Sequence, residues 1–106
     1  MRQHRDYIIE KLKQDEEFAL EYLQTSLEEY QNDNDYESFL LAMKTLIKAN
    51  GGFTKVAKKT KKGRESLYKS FSEIGNPQFE TITKVMCSLG YKFNIEKIHS
   101  TPNHIH

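Results

Sequence analysis

Phe53-Thr54-Lys55-Val56-Ala57-Lys58-Lys59-Thr60-Lys61-Lys62-Gly63-Arg64-Glu65-Ser66-Leu67-Tyr68-Lys69-Ser70-Phe71 is the stretch whose reading decides the fold. Its apolar spacing predicts two short helices, Phe53 to about Lys59 and Arg64 to Phe71, with Lys61, Lys62 and Gly63 in the tight gap between them. Val56 and Ala57 stand where the first helix must be small and apolar to pack on the second, and Leu67 is the second helix's inward anchor. With Leu67 turned inward, helical geometry turns Arg64, Glu65, Tyr68 and Lys69 outward. Two such helices joined by a tight turn make a helix-turn-helix, whose second helix enters the major groove of DNA. The outward side chains suit that task. Arg64 can hold guanine O6 and N7 in a bidentate contact, Glu65 can accept from cytosine N4, and Lys69 suits guanine or phosphate. Ser66 and Ser70 can donate to phosphate oxygens, and Lys55, Lys61 and Lys62 add backbone-directed charge. Tyr68 either stacks on a sugar or supports the turn.

Longer helices flank this pair. Upstream, Asp35 is a candidate cap for a helix that buries Phe39, Leu40, Met43, Leu46 and Ile47, and Asn50-Gly51-Gly52 ends it with positive-φ backbone. Before it, Tyr7, Ile8 and Leu12 line a short helix. Asp15 then caps a second one, with Glu16 and Glu17 in its first turn and Phe18, Tyr22, Leu23, Leu27 and Tyr30 at helical steps. Glu21, Glu28 and Glu29 take the rest of its surface, and Gln31-Asn32-Asp33-Asn34 reads as a loop. Downstream, Asn76 reads as an N-cap with Pro77 at the first helical position, and Phe79, Ile82, Val85, Met86 and Leu89 mark the helix that Gly90 closes. Cys87 follows Met86 on that helix and reads as a buried structural thiol. Tyr91-Lys92-Phe93-Asn94-Ile95-Glu96 alternates apolar and polar, the period of a half-buried strand. A single strand cannot satisfy its own backbone, so it either pairs with another chain, which hints at a dimer, or is an extended tail.

The charges are segregated. The chain has 106 residues and a net charge of only +1, but residues 1 to 37 hold four bases and eleven acids, a net of −7. Residues 38 to 69 hold nine bases and one acid, a net of +8, and residues 70 to 106 balance. One block alone reads equally well as a solvated face. Two opposed blocks suggest two partners of opposite sign: nucleic acid for the basic one, a basic protein for the acidic one.

Val56-Ala57-Lys58-Lys59-Thr60, Arg64-Glu65-Ser66-Leu67-Tyr68-Lys69, Gly75-Asn76-Pro77 with Phe79, Thr81 and Lys84-Val85, and Leu89-Gly90 together resemble the antidote proteins of addiction modules, of the HigA-like kind. The resemblance runs from Asp6-Tyr7-Ile8 through Glu21-Tyr22-Leu23 to Tyr91-Lys92-Phe93. Where the family usually has Gly-Leu-Ser in the turn, this chain has Lys61-Lys62-Gly63. The resemblance implies an all-α, lambda-repressor-like helix-turn-helix bundle with an N-terminal helical extension and a candidate short C-terminal strand. It also implies two tasks: neutralising a RelE/ParE-like toxin by direct binding, and repressing the shared operon at its operator DNA. Toxins that act on RNA tend to be basic, so Glu16, Glu17, Phe18, Glu21, Tyr22, Glu28 and Glu29 are the candidate toxin contacts.

On this reading residues 1–34 form the acidic toxin-binding region, 35–98 the DNA-binding domain with dimerisation elements, and 99–106 a flexible tail. A homodimer is expected, because one short recognition helix gives a small footprint. No enzyme, cofactor or metal is expected: His4, His99, His104 and His106 lie at the frayed ends, and no Gly-rich phosphate loop occurs. The single cysteine excludes an internal disulfide framework, and Met1 to Asp6 lack the apolar core of a signal peptide, so a cytoplasmic protein without a membrane segment is expected. The rival readings are a stand-alone phage-type repressor without a toxin partner and an adaptor that kept the helix pair but lost DNA.

Overall fold

The computed structural model describes residues 4–72 and 75–99. Six helices follow one another: α1 (His4–Gln14), α2 (Glu16–Asp33), α3 (Tyr36–Ala49), α4 (Gly52–Thr60), α5 (Arg64–Ser70) and α6 (Phe79–Ser88). α3 is the hub. Both α1 and α2 pack on it and on each other, and its far end meets α4, which in turn carries α5 and α6. The expected face of α3 is buried, with Met43, Leu46 and Ile47 no more than 1% exposed. One core runs through the chain, joining Leu12, Ala19 and Leu23 to Val56, Leu67, Phe71 and Val85.

Local chemistry explains most boundaries. The Asp15 carboxylate accepts from the Phe18 N–H at 3.0 Å and the Asp35 carboxylate from the Ser38 N–H at 3.1 Å, so both act as the N-caps their positions predict. Two hydrogen bonds from Ser38, side chain first and then backbone, hold the Asp35 carboxyl below its ordinary range. Gly51 and Gly52 take φ of 102° and 85° between α3 and α4. Gly90, at φ 94°, closes α6 in a Schellman turn: its N–H donates to the Cys87 carbonyl and the Tyr91 N–H to the Met86 carbonyl.

Four expectations need correcting. α2 does not stop near Tyr30 but runs to Asp33, where Asn34 ends it at φ 58°; the polar Gln31, Asn32 and Asp33 form a solvated last turn. α6 does not start at Asn76-Pro77 but at Phe79, because Pro77 is buried and its carbonyl accepts from the Tyr36 hydroxyl at 3.4 Å. Cys87 is exposed rather than buried, since the inward face of α6 is set by Ile82, Val85 and Met86 and Cys87 lies about 100° beyond Met86. Finally, the described residues contain no strand, and the C-terminal strand over Tyr91 to Glu96 is absent; residues 91–99 form neither helix nor strand. The expectations for 100–106, including the His104 and His106 pair, lie outside the described residues.

Candidate nucleic-acid interface and acidic surface

α4 and α5 owe their relation to a few buried side chains. Val56 and Leu67 are each 1% exposed, and Phe53 and Phe71 close the same cluster with ring centroids 6.3 Å apart. Three residues connect the helices. Lys61 ends α4 in the left-handed region at φ 61°, the conformation that glycine adopts without penalty, and the Lys62 N–H donates back to the Ala57 carbonyl at 3.2 Å. Gly63 then flanks α5 without a side-chain cap.

The expected readers all reach solvent. Arg64, Glu65, Ser66, Tyr68 and Lys69 are exposed around the buried Leu67, with Glu65 and Lys69 on the far side of α5, and Lys55 and Lys61 are exposed as well. Arg64 is not a free arm: its Nε donates to the Thr54 hydroxyl of α4 at 2.9 Å, leaving the Nη groups for another acceptor. Tyr68 meets the edge of Phe53 at 5.2 Å and 78°, so it supports the helix pair while more than half of it stays in water. Lys62 departs from the simple picture. It is half-buried, and its Nζ pairs with Glu80 Oε1 at 3.1 Å, while Lys84 holds the other oxygen at 3.0 Å. Lys84 and then Lys62 hold the Glu80 carboxyl below its ordinary range. Sequence reasoning missed Thr54 and Glu80 because each acts across helices, and Lys84 because its i,i+4 pair within α6 matters only once Glu80 also holds Lys62.

The acidic candidates occupy α2 in two groups. Glu17, Glu21 and Glu28, at steps of four and seven, form an exposed stripe on the side opposite Ala19 and Leu23. Glu16 and Glu17 also border a hollow of about 670 Å³ with Glu10 and Asp15 at the α1–α2 corner. Phe18 and Tyr22 are half-buried neighbours at 6.1 Å, with the Lys11 ammonium 4.9 Å above the Phe18 ring. Glu21, Glu28 and Glu29 line an open groove of about 1500 Å³ whose far wall is the run 91–99. Burial pushes the Tyr91 phenol up, and Glu16 adds to that shift. Leu20, 42% exposed on α2, is an apolar member of this surface that the sequence reading passed over.

A small all-helical body with an acidic helix at one end and a basic helix pair at the other is a class of binding protein. Residues 4–97 match the family model for probable addiction module antidote proteins, and the chain belongs to that family. It is not an enzyme family. Over 77 residues the chain is 32% identical to an uncharacterized protein of Haemophilus influenzae strain Rd, covering 73% of this chain and 78% of that one. No solved structure matches. Among the described residues no helix is long and apolar enough to cross a membrane.

Proposed function

We propose that the chain is a HigA-like antidote that neutralises a basic, RelE/ParE-like toxin by direct contact and represses its own operon, with α4 and α5 serving as the helix-turn-helix of a lambda-repressor-like domain in the cytoplasm. The observation that carries the DNA half is the outward row on α5. Arg64, Glu65, Ser66, Tyr68 and Lys69 are exposed around one buried anchor, in the chain's only strongly basic block. The toxin half rests on family membership and on the exposed Glu17, Glu21 and Glu28 stripe, which presents charge of the sign a basic partner requires. On this reading residues 1–34 serve the toxin, and 35–98 the operator and a two-fold dimer.

The test is a titration of the protein's own promoter and of random DNA at several salt concentrations. Arg64→Ala loses about 1–3 kcal/mol on the promoter and relaxes preference at one base position. Lys55→Ala, at an exposed lysine of α4, weakens both DNAs alike and flattens the salt dependence by about one unit of slope. Equal losses on both DNAs for Arg64→Ala remove it from the readers, and a wild-type protein that binds neither DNA ends the repressor reading.

A further inference from the structure

The Schellman turn at Gly90 sends the chain out of α6 into residues 91–99, which form neither helix nor strand. Among the described residues, 92–99 take part in no backbone–backbone hydrogen bond. The run is seated on one side only. Tyr91 and Phe93 are half-buried against the core, whereas Lys92, Asn94 and Glu96 point to solvent. Phe93 lies against Phe79 at 5.7 Å, yet Phe79 remains 69% exposed, and Ile95 and Ile98 are 94% and 79% exposed. Three large apolar side chains and backbone outside any ladder therefore share one end of the molecule, a combination that folded monomers avoid.

The sequence of this run complements itself. In an antiparallel pair of two copies with the dyad at Asn94, Lys92 of each chain stands opposite Glu96 of the other, and Phe93 stands opposite Ile95. Both charge pairs then share one face, and both apolar pairs share the face on which Phe93 meets Phe79. Slipping one copy by one residue sets Phe93 against Asn94, or Phe93 against Glu96 with Lys92 against Lys97. Slips of two set Lys92 against Asn94 or Ile98. Among these registers only the one centred on Asn94 pairs both charges and both apolar residues. The acidic α2 is a poor alternative as a self-contact, since a second copy would bring the same six acids, with no base among them, against it.

We propose that two copies of this chain join through an antiparallel two-stranded ribbon of Tyr91 to Lys97 centred on Asn94, with Lys92–Glu96 pairs fixing the register and Ile95 of each copy covering Phe93 and Phe79 of the other. The ribbon supplies the dimer that operator binding requires under the reading above, but its test uses neither DNA nor toxin, so each can fail without the other. Light scattering and native mass spectrometry on the full chain at micromolar concentration are the measurements. Wild type is a dimer. Glu96→Lys sets lysine against lysine twice and Lys92→Glu sets glutamate against glutamate twice, so each single variant dimerises roughly tenfold or more weakly. Both positions are exposed and outside the core, so the helical circular dichroism stays that of wild type. Mixing the two single variants restores association as a heterodimer, because each glutamate then meets a lysine. A monomeric wild type, single variants as dimeric as wild type, or a mixture no more associated than its components would each overturn the ribbon.

Discussion

α2 and α5 solve the problem of being a helix in opposite ways. α2 has 18 residues, an Asp15 side-chain cap and a left-handed stop at Asn34, a residue type that tolerates this backbone. α5 has seven residues and no side-chain cap at its N-terminus, and one buried residue within it, Leu67. A helix so short is unstable alone, so α5 exists because Val56, Phe53 and Phe71 accept Leu67. The difference extends to the stops. Asn34 and Lys61 have nearly the same φ, 58° and 61°, but lysine meets a steric cost there that asparagine partly escapes. The acidic end is built from local signals, and the basic end from packing between elements with strain retained in its turn.

The largest test of that contrast is Leu67→Ala. Removing a side chain 1% exposed lowers stability by about 2–5 kcal/mol in urea unfolding, and amide exchange in α5 accelerates before that in α2. Uniform exchange across both helices would mean that α5 is not the weaker element. Next comes charge reversal on α2 with Glu17→Lys, Glu21→Lys and Glu28→Lys together. All three side chains are exposed, so folding is retained, while association with the basic toxin slows at low salt and loses most of its salt dependence in stopped-flow measurements. An unchanged on-rate would move the toxin contact elsewhere.

Lys61→Gly separates strain from function. Glycine takes the same backbone freely, so the variant gains about 1 kcal/mol of stability in urea while binding DNA more weakly for want of one phosphate contact. A loss of stability would show that φ 61° carries no penalty in this turn. The smallest effect belongs to Glu80. Its carboxyl is held low by Lys84 and Lys62, so the stabilisation is present above the ordinary glutamate range and disappears as pH falls through the lowered folded value. Carboxyl NMR titration should place Glu80 below the reference glutamate, with Glu80→Gln flattening that acid limb and releasing Lys62 to strengthen binding to random DNA slightly. A Glu80 midpoint at the reference value would mean that the 3.0 and 3.1 Å pairs do not persist in solution.

Removing residues 1–34 would not isolate these effects, because Leu12, Ala19 and Leu23 share one core with α3. Charge reversal at exposed positions leaves that core intact.

By itself the sequence determined the helices whose signals are local. Asp15 and Asp35 cap by reaching three residues ahead, Gly51, Gly52 and Gly90 take backbone that few other residues adopt, and the apolar steps of α3 point one way only. It also determined that Glu65 and Lys69 face outward, since they lie about 160° around α5 from Leu67, which faces inward. Tertiary structure decided the rest, wherever the partner is distant in the chain. Asn76-Pro77 satisfies every local rule for a helix start, but the Tyr36 hydroxyl, 41 residues earlier, meets the Pro77 carbonyl and α6 begins later. Lys62 reads as a free phosphate contact until Glu80, 18 residues on, takes its ammonium. The alternation of Tyr91 to Glu96 is a genuine strand pattern, but a strand is a property of two segments, and among the described residues of one chain the second segment does not exist.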